Sequence, residues 1–429
     1  MNYTQNDKIE QVKETTLVLG VDIGSSEHFV RAFDWRGKEL TRKAFKVTVN
    51  QNGFTLFAEW VKQISSKYDK TEVLVGCEPT GHYWYTFEQY VKKNGMKLVF
   101  VNPASVKKVK ELDDNSPNKT DLKDPKTIGK LIIDGRYCYP YVPEDIYADL
   151  REAVYGRDRI QKELNGTVNR IQRWLKIYFP EYTEIYKVFE SKSGMMILAE
   201  APLPEDIVRL GTDGIIKIWK QYKVRGKGAS RSRAEILVEA AQNSIGKRGG
   251  VGTRTDFQLL LEDYYYKKNQ LDKMTAVVEE LTMQVPNAEK LLSIKGVGLI
   301  TVAGFFSEVG DISRFTDPKQ IQKYAGLELV ENSSGKHKGR SKISRRGRKR
   351  LRKILFQVIL PLIRSNREFR EIYSYYTKRV RNPLKGRQAM IALSCKLIRV
   401  FFAMLKHGAT YNPEKMLSDI HRQEAYIAA

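Results

Sequence analysis

The sequence of 429 residues contains only three cysteines, and they stand far apart at Cys77, Cys138 and Cys395. There is no CxxC pair and no histidine at ligand spacing, which excludes a disulfide framework or a zinc finger as the organising element. Apolar runs such as LVLGV and ILFQVILPLI are shorter than the ~20 residues of a membrane-spanning helix. The first sixteen residues are polar and lack the apolar core of a signal peptide. These absences predict a cytoplasmic protein with no membrane partner.

The sequence also lacks the GxxxxGK[ST] loop of nucleoside triphosphatases, although glycine-rich basic stretches such as GKRGGVGTR occur. Acidic residues are scarce in one part of the chain. The last 99 residues carry 24 basic and 6 acidic side chains, whereas residues 1–150 are close to neutral. Since the whole chain has a formal net charge of +24, the expected partner is a polyanion such as nucleic acid.

Hydrophobic periodicity divides the chain into three parts and predicts an α/β plus all-α fold class. Strands alternate with helices over 1–143, which predicts a mixed sheet. Spacings of three and four over about 144–175 and 255–284 predict two long helices in the middle part, 144–285, with a helical insertion at about 180–253. These helices pair with each other, as in a coiled coil, or with another subunit. The last part, 286–429, is predicted to be a basic and mainly helical domain.

The individual elements of the first part follow from the same patterns. Strands are predicted at 17–23, 28–34, 39–49, 72–76 and 98–101. Helices are predicted at 54–67, 82–94 and 125–134.

Four acids stand where such a fold can bring them together. Asp22 ends the first strand, and Glu78 ends another strand in VGCEPTG. Asp121 and Asp124 lie in NKTDLKDPKTI, where a helix begins. Strand ends meet at one edge of a sheet, and acids three residues apart at a helix start face the same way. Converging carboxylates need cations, and hard oxygen ligands suit Mg²⁺ or Mn²⁺, which as a pair promote phosphodiester chemistry.

These acidic segments resemble the N-terminal, RuvC-like domain of DEDD transposases of the insertion-sequence group one-ten. In that family the strings G-x-D-x-[GA], E-x-T-G and N-K-T-D-x-x-D recur in this order. The present chain has Pro79 after the glutamate and Pro125 after the last aspartate. The resemblance implies a ribonuclease-H-like fold for 1–143. It also implies that the metal ligands are the four acids Asp22, Glu78, Asp121 and Asp124.

The segment 325–352, AGLELVENSSGKHKGRSKISRRGRKRLR, resembles the C-terminal signature of the same family. That signature is A-G-L, six residues, Ser-Gly, a basic stretch and I-S-[KR]-x-G, and its nucleophile is the serine before the glycine. The resemblance implies that this nucleophile is Ser334 and not Ser333. Eleven Lys and Arg and no acid follow within 19 residues, a field that would hold a scissile phosphate. The nucleic-acid-binding candidates are Lys336, Lys338, Arg340, Lys342, Arg345, Arg346, Arg348, Lys349 and Arg350.

The resemblance implies a transposase, a prokaryotic DNA recombinase acting on donor and target DNA. Its serine would attack a phosphodiester to form a covalent phosphoserine link, and strand exchange would follow. It further implies dimers that pair into tetramers, active sites that can be shared between subunits, and a structured noncoding guide RNA. Two alternatives remain open on the residues alone. One is a RuvC-like nuclease, such as a junction resolvase, that uses only the carboxylates; the other is a nonenzymatic nucleic-acid scaffold.

Overall fold

The computed structural model describes residues 3–113, 124–187, 189–224, 226–330, 333–334, 337–338, 342–418 and 420. The description covers the backbone alone at 111–113, 227, 333–334 and 337–338. The chain forms two compact units, 1–142 and 143–429.

The first unit is a six-stranded mixed sheet with helices on both faces, and it confirms the predicted α/β class. Its strands are β1 (Thr16–Ile23), β2 (Glu27–Phe33), β3 (Phe45–Thr48), β4 (Glu72–Cys77), β5 (Lys97–Val101) and β6 (Tyr137–Cys138). They lie in the order β3-β2-β1-β4-β5-β6. β4 runs parallel to β1 and β5, and the other neighbours are antiparallel. Its helices are α1 (Gln5–Glu10), α2 (Gln51–Lys67), α3 (Trp84–Lys93), α4 (Pro103–Asp113) and α5 (Asp124–Ile133).

One predicted strand is shorter than expected. Of the segment 39–49, only Phe45–Thr48 forms a strand, while Glu39 makes a single bridge to Phe33 and pairs through its carboxylate with Arg31. Between them, the polar run Thr41-Arg42-Lys43 interrupts the apolar alternation after Leu40, which still packs against the core of the sheet.

Strand β1 is buried on both faces because helices cover the sheet on each side. Leu19 and Val21 belong to the core formed with α2 and α3, and Val18 belongs to the core formed with α5. Gly20 shares the α5 face, where a Cβ would lie 1.9 Å from the carbonyl oxygen of Pro125. The backbone of α5 therefore rests directly on β1, and this close approach requires glycine.

Replacing Gly20 with alanine is expected to destabilise the protein by about 3 kcal/mol, because the added methyl group overlaps backbone atoms that cannot rotate away. Urea unfolding of the full chain measures the change. Gly166→Ala is the control: this glycine lies inside the helix Asp145–Tyr178, and a Cβ there meets nothing within 4 Å. Helix propensity predicts a gain of about 1 kcal/mol for the control. Equal stability of Gly20→Ala and wild type would contradict the close approach of α5 to β1.

The second unit is built on two long helices, α6 (Asp145–Tyr178) and α11 (Val251–Gln284). They run antiparallel and pair with each other within one chain. The rings of Trp174 and Phe257 lie 4.3 Å apart between centroids near one end. Towards the other end, Arg157 Nε donates to the hydroxyl of Thr275 at 3.1 Å. This intramolecular pairing is one of the two arrangements that the periodicity allowed.

Short helices between α6 and α11 form the predicted helical insertion. They are α7 (Tyr182–Ile185), α8 (Lys192–Glu200), α9 (Pro204–Gln221, kinked at Gly211) and α10 (Arg231–Gln242). Tyr182, Trp219 and Leu237 of this insertion belong to one hydrophobic core with Phe257 of α11 and Leu164 of α6. The insertion thus shares its core with the long helices.

The C-terminal part packs on the opposite end of the helix pair, where Leu150, Val154 and Val278 join its core. Its helices are α12 (Ala288–Leu292), α13 (Leu299–Val309), α14 (Pro318–Tyr324), α15 (Lys349–Ser365), α16 (Arg367–Lys378) and α17 (Gly386–Lys406). Its strands are β7 (Leu329–Val330), β8 (Ser333–Ser334), β9 (His337–Lys338) and β10 (Lys342–Ile343). Among the described residues, α17 is the one helix long and apolar enough to cross a membrane, but 56% of its most apolar window is buried inside the protein.

Candidate active site

Two of the predicted acids lie at the carboxyl ends of neighbouring parallel strands: Asp22 is the residue before the last in β1, and Glu78 directly follows β4. Val21 of β1 lies opposite Cys77 of β4 in the ladder, so Asp22 and Glu78 occupy the next register position. Both side chains are partly exposed. Strand alternation places Asp22 on the face of Gly20, which is the face that α5 covers. The sheet therefore brings these two carboxylates to one edge, beside α5.

Asp124 is the first residue of α5. Because Pro125 meets Gly20 near the carboxyl end of β1, the start of α5 lies at the edge that Asp22 and Glu78 occupy. The Asp124 carboxylate forms an ion pair with Lys110 of α4, and the aspartate side chain is 14% exposed. Lys110 was not predicted as a member of this site, although the lysine-rich segment VKKVK precedes the acids closely in sequence.

The donor set suits a hard divalent cation. Asp22, Glu78 and Asp124 offer carboxylate oxygens, the ligands that Mg²⁺ and Mn²⁺ prefer. The neighbouring thiol of Cys77 does not compete, because burial, and secondarily the Glu78 carboxylate, raise its pKa and keep it protonated. Asp121 lies outside the described residues. In the part of the chain that is described, no three His, Cys, Asp or Glu side chains cluster closely enough to hold a metal.

A buried histidine lies in the strand next to these acids. His28 of β2 pairs with Ile23, has no exposed surface, and lies with its ring 5.2 Å from that of Phe87 between centroids. Burial lowers the pKa of His28 to about 4, while backbone groups of Glu27 and Gly24 act weakly in the opposite direction. The imidazole is therefore neutral at physiological pH.

The depressed pKa of His28 predicts a loss of stability in acid. Between pH 6.5 and 4 the unfolded chain binds a proton that the folded chain does not, so the free energy of unfolding falls as pH falls. The full difference is about 3 kcal/mol below pH 4. In urea unfolding, the free energy of unfolding of His28→Leu should fall less between pH 7 and pH 4 than that of wild type. The same pH dependence in both proteins would show that His28 contributes nothing to it.

The segment that contains the predicted nucleophile forms two nested antiparallel pairs. In the outer pair, Val330 of β7 lies opposite Lys342 of β10. In the inner pair, Ser334 of β8 lies opposite His337 of β9 in the backbone register. Ser334 is the last residue of β8, and the two pairs together are called the Ser334 hairpin, with β7 and β10 as its base.

Next to the base of this hairpin, the backbones of Gly326 and Gly347 lie in close contact. Gly347 has φ +149° and Gly326 has φ +70°, and a Cβ on Gly347 would lie 2.5 Å from the carbonyl oxygen of Tyr324. The amide of Ser344 donates to the carbonyl of Glu328 at 2.7 Å. These contacts explain why the A-G-L and S-[KR]-x-G segments both contain glycine, since only glycine permits this approach at positive φ.

The nine predicted nucleic-acid-binding residues fall into three groups. Lys336 and Arg340 lie outside the described residues, and Lys338 is described by its backbone in β9. Four cations are exposed to solvent and available to a phosphate backbone: Lys342, Arg345, Arg346 and Lys349. Arg348 and Arg350 are half-buried and form ion pairs with Glu308 and Asp158. Glu308 was not predicted, although a single acid in the apolar helix LITVAGFFSEV is a signal for a buried partner.

Two family models match the chain. Residues 19–180 match a DEDD transposase model of the IS110 group, and residues 288–374 match a model described as the transposase IS116/IS110/IS902 family. The chain is 23% identical over 402 residues to a 44.8 kDa protein of insertion element IS116 from Streptomyces clavuligerus, covering 92% of this chain and 96% of that protein. It is 22% identical to the transposase for insertion sequence element IS1111A from Coxiella burnetii, over 92% of this chain and 91% of the relative.

Proposed function

The chain belongs to the IS110 family of insertion-sequence transposases, and we propose that it recombines DNA through a serine nucleophile assisted by a carboxylate-bound metal. The observation that carries the proposal is the register of β1 and β4, which brings Asp22 and Glu78 to one edge. The strand order β3-β2-β1-β4-β5 supports a ribonuclease-H-like, RuvC-like fold for this unit.

In this proposal the acids and the serine have separate roles. Asp22, Glu78, Asp121 and Asp124 would hold Mg²⁺ or Mn²⁺, which when bound supplies positive charge next to the scissile phosphate. The oxygen of Ser334 loses its proton and forms a bond to phosphorus, the bond from phosphorus to a deoxyribose oxygen breaks, and that oxygen takes up a proton and leaves as a hydroxyl. Attack by a new DNA hydroxyl then reverses the link and returns a proton to the serine. The exposed cations of the basic run balance the charge on the phosphate.

The partners follow from the same proposal. Donor and target DNA are the substrates, and a structured noncoding RNA selects them by base pairing. The protein reads backbone and shape in such complexes, which the exposed lysines and arginines near the hairpin are suited to do. We further propose that the protein acts in the prokaryotic cytoplasm as dimers that pair into tetramers on two DNA duplexes. The serine and the acids of one site then come from the same or from different subunits.

Trapping the covalent intermediate tests this function. The full protein, with the RNA that co-purifies with it, is incubated with donor and target DNA and Mg²⁺, denatured, treated with nuclease and analysed by peptide mass spectrometry. We expect a nucleotide remnant on Ser334. Strand cleavage without any denaturant-resistant adduct would favour the carboxylate-only nuclease, and DNA binding without cleavage would favour the scaffold.

RNA that co-purifies with the protein tests the guide. An abundant, structured species encoded beside the gene is the expected result. Random cellular fragments alone would contradict RNA guidance while leaving the serine chemistry intact.

A further inference from the structure

A buried carboxylate stands in the middle of the C-terminal part of the second unit. Glu308 is 1% exposed and is the single charged residue of α13. Its Oε2 accepts from Arg348 Nε at 2.8 Å, and its Oε1 accepts from the hydroxyl of Tyr155 at 2.8 Å. Arg350 Nε lies 3.5 Å from Oε1. A buried carboxylate is tolerated only when it is paired and hydrogen-bonded, so these partners are required for its presence.

The two arginines connect the start of α15 to the long helix α6. Arg348 Nη2 donates to the Tyr155 hydroxyl at 3.3 Å, and the Arg350 guanidinium lies 3.6 Å from the centroid of the Tyr155 ring. Arg350 Nη2 also donates to Asp158 at 2.6 Å. Burial and then the Glu308 carboxylate raise the pKa of Tyr155 to about 12, so the phenol keeps its proton and remains a donor. One carboxylate thus joins α6, α13 and the first turn of α15.

The start of α15 follows β10, the last strand of the hairpin, after a short link. The amide of Arg348 donates to the carbonyl of Tyr324 at 2.7 Å, where the chain leaves towards β7. Four residues link β10 to Arg348, and the amides of two of them, Ser344 and Arg345, donate to the carbonyls of Glu328 and Gly326 at 2.7 and 3.1 Å. The link is thereby tied to the segment that leads into β7, so the position of Arg348 bears on the position of β10. β10 pairs with β7, and Ser334 lies between them in the chain.

We propose that Glu308 is a positioning residue for the recombination reaction, which fixes the Ser334 hairpin through Arg348 and Arg350. This inference rests on the proposed role of Ser334 as nucleophile. It separates these two arginines from the exposed cations of the basic run: they orient the hairpin, whereas Lys342, Arg345, Arg346 and Lys349 attract the DNA backbone. A nucleophile held in the wrong place by about 1 Å loses rate without losing substrate affinity.

A matched pair of variants tests this role. Glu308→Gln removes the carboxylate charge from the network. The control is Asp206→Asn in the insertion, which removes another buried carboxylate, 7% exposed at its side chain, that accepts from Arg254 Nε and Nη2 at 2.9 Å. We expect both variants to lower the melting temperature. Only Glu308→Gln should slow formation of the covalent adduct at saturating DNA, by about 10- to 100-fold, at a temperature where both are folded.

DNA affinity and its salt dependence distinguish positioning from phosphate binding. Both should be unchanged in Glu308→Gln, whereas loss of a phosphate contact would weaken binding and reduce the salt slope by about 1. If Glu308→Gln does not fold, Arg348→Lys retains the charge but not the planar donor pair, and the same loss of rate is expected. Rates equal to those of Asp206→Asn, or weaker binding at an unchanged rate, would overturn the inference. Adduct formation by Ser334→Ala would instead overturn the proposed function.

Discussion

Replacing Ser334 with alanine should abolish the covalent protein–DNA adduct and reduce strand exchange by about 10³-fold or more, because no other atom then forms the bond to phosphorus. The variant should bind DNA with unchanged affinity, since a serine hydroxyl contributes no charge to phosphate contacts. A single-turnover assay with labelled DNA quantifies the adduct and the exchanged strands. A separate equilibrium assay measures DNA affinity.

Ser333→Ala is the matched control, because Ser333 precedes Ser334 directly in β8 and shares its chemistry. Its backbone register is opposite Lys338, whereas Ser334 lies opposite His337. We expect the Ser333→Ala variant to exchange strands at the wild-type rate. An adduct lost in Ser333→Ala and kept in Ser334→Ala would assign the chemistry to the other serine.

The sheet could be predicted from sequence because its central strands are buried on both faces. Such strands appear as continuous apolar runs, and β1 and β4 show this pattern in LVLGV and VLVG. The helices α1 and α4 escaped prediction for the opposite reason. α1 buries no residue, and α4 is rich in lysine and, among its described side chains, places only Val106 and Val109 on the core, which is too short an apolar stripe to predict a helix. Their formation depends on capping and on contacts with the rest of the unit.

The candidate site also has residues that the sequence could predict and residues that it could not. Asp22 and Glu78 could be placed because they lie at the carboxyl ends of two strands, and strand pairing alone brings these ends together. The contacts around Glu308, which we propose to position the serine hairpin, could not be predicted from the sequence. Glu308 lies 40 residues from Arg348 and 153 from Tyr155, and nothing local predicts that three helices meet there. For the same reason, periodicity left open whether the long helices pair within one chain.

Replacing Glu78 with glutamine should reduce adduct formation and strand exchange by about 10³-fold, because the change removes a carboxylate from the proposed metal site. Glu72→Gln is the control within the same strand. Glu72 begins β4 at the opposite edge of the sheet, where it forms an exposed ion pair with Lys97 at 3.1 Å. Loss of such a pair costs at most about 1 kcal/mol of stability and should leave strand exchange unchanged.

Metal binding provides a readout that does not depend on catalysis. A cation that binds only the folded protein stabilises it, so Mg²⁺ should raise the melting temperature of wild type and of Glu72→Gln. Glu78→Gln should show little or no increase, because a neutral amide is a weaker ligand for a hard cation than a carboxylate. If Mg²⁺ stabilised both variants equally, Glu78 would not be a ligand, and its position beside Asp22 would have to serve another purpose. Activity lost in Glu78→Gln together with its Mg²⁺ response would connect the acidic edge of the sheet directly to the chemistry of the serine.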